Sequence, residues 1–336
     1  MQPKKSFLQK TGQSPFIWLN QLRLRNQMFV TRFFIAILIT IFSLSLEADE
    51  DKKALDNNKS DSSNLSGNQE AEQTIKAGNL SFPVSQQPTP LISFGQNVLN
   101  KKQAQLVVLT NEFKGKDNYF INIAPSLIYG LTDNLSVTLF GPLAVRYRQD
   151  EHRSSGPQDA IVQLEYAFYT KAYRTFYDQA TIVANVSIPT GSVKKNPPTG
   201  FGANSFFIGG TYSRMKVDWF YFTSSGGILT TSSHRTKIGD QFLYQLGFGR
   251  RIMNSKEWLV AWMIEFNGIY SWKDRIIGEQ NPDSGGNVIL MTPSLFISSV
   301  ESLVVQIGLG IPLVQKLNGR QNKTDYILNL NVSWTF

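Results

Sequence analysis

Four charged side chains fall on the polar face of segments with period-two patterning: Arg146, Arg148, Glu165 and Glu265. In a narrow aqueous bore, charges of both signs set a transverse field that sorts solutes. Packed against one another, they brace the interior instead. The same phase holds five aromatics, Phe120, Phe140, Tyr169, Phe207 and Phe296. An aromatic wall lowers the cost of stripping water from an apolar solute, and it serves equally well as filler. Catalysis has little to work with. His152-Arg-Ser154 has the spacing of a base and a nucleophile, but it falls in a predicted outer loop with no geometry to support the pair, and it reads as a solvated histidine. His234 falls in another such loop. There is no metal-ligand cluster, phosphate loop or cofactor motif, and no catalytic residue is assigned.

The elements that must carry these residues are strands. In the last eleven residues Tyr326, Leu328, Leu330, Val332, Trp334 and Phe336 share one face, and Asn329, Asn331, Ser333 and Thr335 the other. Apolar outward and polar inward, with an aromatic at the end, suits a strand between lipid and a wet lumen. Trp334 and Phe336 are expected to be read during insertion by the barrel-assembly machinery. The same alternation recurs at 119–129, 135–148, 258–270 and 303–313. Weaker segments near 103, 159, 179, 205, 219, 240 and 287 bring the expected total to about twelve. The fold class is therefore an all-β, antiparallel, up-and-down transmembrane barrel over 101–336.

Connection lengths support that reading. With Phe336 periplasmic, the turns at 131–134, 216–218, 253–257 and 299–302 are short, and 170–178 is somewhat longer. The opposite connections at 149–158, 190–204, 232–239, 271–286 and 314–325 are long and polar, with 114–117 as the exception. Short turns inside and long loops outside are what outer-membrane barrels show. Twelve strands about 4.8 Å apart at about 40° tilt give a backbone diameter of roughly 24 Å. Pro125, Pro142, Pro293 and Pro312 interrupt two similar hairpins, where each removes a ladder donor and should mark a bulge or kink. Tyr129, Tyr147, Tyr166, Trp258, Tyr270 and Trp334 are expected to face outward as interfacial girdles.

The front of the chain reads as export. Arg32 precedes the apolar run Phe33–Leu46, too short to span a bilayer as a helix and suited to a signal peptide. Residues 1–48 form this leader, with cleavage after Ser45 or Ala48 and a true start at Met28 as one option. The 336-residue chain carries a net charge of +8, but without the leader 27 bases face 24 acids. That leaves +3 and no case for nucleic acid. The absence of cysteine excludes disulfides. Residues 49–100 are polar and aperiodic, expected to be disordered in the periplasm, although Leu91–Leu99 could form a short cap or plug.

Several motifs together resemble the outer-membrane proteins called the MetA-pathway of phenol degradation family. They are Tyr129-Gly-Leu-Thr-Asp-Asn-Leu-Ser-Val137 followed by Pro142, Gly156-Pro-Gln-Asp159 entering Leu164-Glu-Tyr166, Val186-Ser-Ile-Pro-Thr-Gly191, and Gly200-Phe-Gly-Ala-Asn-Ser205. The likeness covers about 90–336, and Gln158 departs from it where the family usually has glycine. The resemblance implies a barrel in the outer membrane of a Gram-negative bacterium that passes hydrophobic or aromatic compounds. The expected function is a passive channel for such solutes, without a cofactor; the alternative is an adhesin or structural barrel acting through its outer loops. Outer-membrane lipid is the expected surrounding partner.

Overall fold

A computed structural model describes residues 78–336 other than 234, 256, 300 and 301. The leader, its cleavage site and most of the polar segment lie outside the described residues, as does His234. The strands are β1 (Ala104–Gly115), β2 (Asn118–Thr132), β3 (Leu135–Phe140 and Leu143–Gln149), β4 (His152–Pro157 and Ala160–Ala172), β5 (Phe176–Ile188), β6 (Ser205–Lys216), β7 (Trp219–Thr230), β8 (Gln241–Asn254), β9 (Trp258–Ser271), β10 (Gly286–Ser299), β11 (Leu303–Leu317) and β12 (Thr324–Thr335). Each pairs antiparallel with its sequence neighbours, and β1 pairs with both β2 and β12, so the sheet closes on itself. Fourteen ladder segments make twelve strands because β3 and β4 are each broken once. Closure leaves no strand as a free edge, as a β-structure in lipid requires.

The breaks follow the prolines. β3 is interrupted at Gly141-Pro142 and β4 at Gln158-Asp159, and the two gaps face each other through Gln158 N–H donating to the Pro142 carbonyl at 2.9 Å. On β11 the register with β10 slips just after Pro312. The β11–β12 ladder runs only from Leu303 to Gly310; beyond it the Gln315 amide donates to the Thr324 carbonyl and accepts its N–H, both at 3.0 Å.

Residues 149–158 are not a loop. A two-residue turn with Asp150 at φ 52° joins β3 to His152–Pro157, so His152 and Ser154 lie on a strand tip. The turn is Asp150-Glu151, whose polar residues ended the alternation in the sequence; Asp tolerates the left-handed conformation better than most residues. The connections at 189–204, 231–240 and 272–285 are the long ones, and the last two join through a small ribbon of Ser232–Ser233, Thr236–Lys237, Arg275–Ile276 and Glu279–Gln280.

Outward positions carry the apolar band. Tyr129, Tyr166, Trp258, Tyr270 and Trp334 are all exposed on that face, as are Leu106, Leu127, Leu139 and Leu246. Inside, the periplasmic half is packed with Met215, Phe220, Phe222, Leu259, Ala261, Met263, Phe296 and Val304 around Phe82, which belongs to the segment ahead of β1.

Candidate functional site: a lumen occupied by its own N-terminal segment

Residues 78–103 run inside the barrel as a hairpin. The segment starts at the periplasmic turn between β6 and β7, where Asn79 N–H donates to the Val217 carbonyl at 2.8 Å. Two short 3-10 turns, Gly78–Ser81 and Val84–Gln86, carry it inward. It reverses near Gly95 and Gln96, both at positive φ (88° and 67°). It returns along β3 and leaves at the β2–β3 turn, with Leu99 N–H on Ser136 Oγ at 2.8 Å and Lys101 N–H on Asp133 Oδ1 at 2.9 Å. Both ends are therefore periplasmic. Within the stretch 49–100 expected to be disordered, residues 78–100 take a defined path, because wall side chains supply partners that the segment lacks by itself.

Two wall carboxylates hold the apex. Glu265 of β9, fully buried, accepts the Leu91 N–H at 2.7 Å on Oε1, and the Ile92 and Ser93 N–H groups at 3.2 and 2.9 Å on Oε2. Ser93 Oγ lies 2.8 Å from both Glu265 Oε2 and Asn267 Oδ1. Three successive amides converging on one carboxylate form an anion nest supplied by the plug. Glu165 of β4, also buried, accepts the Asn97 N–H at 3.1 Å. Gln245 Oε1 takes the Phe94 N–H at 3.2 Å, and Gln306 donates to the Thr89 carbonyl at 3.3 Å.

Wall glycines make room for plug side chains. A Cβ on Gly308 would sit 2.6 Å from Leu91 Cδ2, and one on Gly209 would sit 2.7 Å from the Phe94 and Phe207 rings. Phe94 packs edge-on against Phe207, centroids 4.7 Å apart. Sequence reasoning did not single out these lumen-facing glycines; the signal available was the in-phase pair Gly308 and Gly310 on β11.

The other sequence candidates separate. Phe120 is buried with Tyr147 and Phe113 toward the extracellular end. Phe296 lies in the Phe82 cluster, and Phe140 lines a cavity beside the plug. Arg146 does not face the lumen. An extra residue in β3, between the pairs Ile121–Arg146 and Asn122–Ala144, inverts the phase. Arg146 then lies on the outer face 5.6 Å from the Tyr119 ring centre, and Tyr147, expected outward, is the buried one. Arg148 likewise pairs with outward Tyr119. A second slip between Ala167 and Tyr169 turns Tyr169 outward. Trp334 is exposed on the lipid face, and Phe336 extends the last strand, its N–H donating to the Ala104 carbonyl at 2.7 Å.

Beside the plug lies a cavity of about 240 Å³, lined on the wall by Val107, Leu109, Ile128, Phe140 and Val304 together with the uncharged polar Gln105, Gln163 and Asn331, and by plug residues including Leu91 and Phe94; no charged side chain lines it. Among the described residues, no cluster of His, Asp and Glu could hold a metal ion.

The solved structures similar to this chain include the COG4313 outer membrane channel from Pseudomonas putida F1, with a TM-score of 0.59, 13% identity, and coverage of 74% of this chain and 99% of that one. The fold is that of an outer-membrane barrel. The barrel also matches the NanC porin (TM-score 0.43, 11% identity, 68% and 98% covered) and the CymD monoaromatic hydrocarbon channel (TM-score 0.34, 11% identity, 77% and 98% covered). Those two superpose too loosely to bear on its function. No protein-family profile and no curated protein matches its sequence.

Proposed function

We propose that the chain is a passive outer-membrane channel for small, uncharged and predominantly apolar solutes, closed at rest by residues 78–103. The observation that carries this is the cavity beside the plug: about 240 Å³, with aliphatic and aromatic walls, amide and hydroxyl groups, and no ionic side chain lining it. Such a lining gives an ionic solute no counter-charge for the water it would lose, and its aliphatic and aromatic part costs an aromatic hydrocarbon little. The resemblance to the MetA-pathway family supports the same solute class and a location in the outer membrane of a Gram-negative bacterium. Glu165 and Glu265 act on the plug in this reading rather than on the solute.

The test is uptake into liposomes holding the mature barrel, with and without residues 79–99, using phenol, toluene and short fatty acids against sugars. At least one apolar solute should enter faster than into protein-free vesicles, and Phe140→Ala should change its rate. If no solute enters through a correctly folded barrel in either form, and loop deletions instead abolish binding to cells or surfaces, the adhesin reading replaces this one.

A further inference from the structure

The phase inversion in β3 that removes Arg146 from the lumen builds a basic row on the lipid face. Register places Tyr326, Lys114, Tyr119, Arg148 and Arg153 side by side across β12, β1, β2, β3 and β4. Arg146 lies one step nearer the membrane centre, opposite Ile121. Lys114 and Arg146 both approach the Tyr119 ring, at 5.3 and 5.6 Å from its centre. All four cations are exposed, and none forms an ion pair with a described residue. Arg148 and Arg153 are directly opposed, an arrangement of like charges that costs stability unless an anion lies between them.

The height of this row identifies what it meets. Tyr129 and Tyr119 are the outward aromatics toward the two ends of β2, five two-residue steps apart, which at about 40° tilt is roughly 26 Å along the membrane normal. That is the height of the apolar band, so the row lies at the headgroup level of the extracellular leaflet. At the same level β6–β9 carry Phe206, Leu229, Phe242 and Tyr270, so the basic arc is local. Glu112 is the acid on this face, and Asp117, Asp150 and Glu151 lie on the turns beyond it.

We propose that Lys114, Arg146, Arg148 and Arg153 bind the phosphates of an anionic, phosphorylated glycolipid in the extracellular leaflet. Arginine forks suit phosphate oxygens, and Tyr119 and Tyr326 offer flat faces at the boundary between sugar and acyl chain. Cations near an anionic membrane surface each add to the attraction, so several acting together should give a measurable affinity.

The test uses the mature barrel folded in a neutral detergent and titrated with lipid A bearing two phosphates, with dephosphorylated lipid A, and with inorganic pyrophosphate. Replacing Lys114, Arg148 and Arg153 together by Gln should weaken binding of the bisphosphorylated form by about tenfold or more. Arg275→Gln, on the connection after β9 on the other side of the barrel, should leave it unchanged. The dephosphorylated lipid should bind the parent no better than the bisphosphorylated lipid binds the triple variant. Equal binding by the parent and the triple variant, or of the two lipids by the parent, overturns the proposal. Pyrophosphate binding as tight as lipid A would mean a free-anion site and would also overturn it. Should the triple Gln variant fail to give the heat-shifted gel mobility of a folded barrel, Arg148→Lys with Arg153→Lys is informative: retained charge should keep phosphate-dependent binding within a few-fold of the parent, and its loss overturns the proposal.

Discussion

Replacing Glu265 by Ala should unseat the plug apex without opening the barrel wall. In the seated state one carboxylate accepts the N–H groups of Leu91, Ile92 and Ser93 at 2.7, 3.2 and 2.9 Å, and the Ser93 hydroxyl lies at 2.8 Å. A hydrogen bond to a charged group contributes about 1.5–3 kcal/mol net of water. Unseated, the carboxylate and the amides would each be hydrated, so the lower figure applies. If water recovers two of the four contacts in the variant, the seated state loses about 3 kcal/mol, or roughly a hundredfold in the ratio of seated to unseated plug. Glu265→Gln keeps one carbonyl acceptor but turns an NH2 toward the amides, and should fall between the parent and the alanine variant. Amide hydrogen exchange at Leu91–Ser93 reads the seating directly, and single-channel conductance in planar bilayers reads its consequence. Exchange at these amides should speed up and openings become more frequent, approaching a barrel without residues 79–99. Unchanged protection and unchanged conductance in Glu265→Ala, with the truncated barrel conducting freely, would refute the latch.

Two further substitutions probe the packing and the ends. Phe82 fills the periplasmic half of the lumen between Phe220, Phe222 and Phe296, so Phe82→Ala should cost about 3–5 kcal/mol of local stability and raise exchange from residues 79–86 while leaving heat-modifiable mobility intact; protection equal to the parent would count against a packed lower lumen. Deleting Phe336 removes the backbone bond to Ala104 and the terminal aromatic, and should sharply lower the inserted fraction in outer-membrane preparations, whereas a conservative change at Asn331 should not.

The barrel was legible in the sequence because its physics is periodic. Lipid outside and polar contents inside impose alternation, and the period of two carries phase along a strand with no knowledge of its neighbours. The same property explains the errors. One extra residue near Val145 and one near Phe168 invert everything downstream on those strands, and nothing in the side-chain types marks either bulge. Arg146, Tyr147, Arg148 and Tyr169 were misplaced for that reason alone. The resemblance motifs have a physical core that spacing alone could not show. Asp159 accepts the Gly191 N–H at 2.9 Å and the Phe201 N–H at 2.8 Å, while a Cβ on Gly191 or Gly200 would meet that carboxylate within 2.9 Å. Three separated motifs therefore meet at one carboxylate. The plug was legible only as an option for Leu91–Leu99, and its start near residue 78 was not. Its amides are satisfied by Glu265, Glu165, Gln245 and Ser136, residues far along the chain, and it has no period of its own.

That the plug enters and leaves on the same side has a consequence for topology. A segment threaded from one mouth to the other would have to be enclosed before β1 met β12, or be passed through the finished ring. A hairpin open toward the periplasm needs neither. The ring can close first on an empty bore and receive the hairpin afterwards. The hairpin can also withdraw by the same route without breaking a single strand pair. A pull on the chain ahead of Gly78 would act on the contacts one after another, from Asn79 toward the apex, rather than all at once. Such peeling needs far less force than shearing, so a modest tug from the periplasm could clear the bore, and thermal motion could refill it.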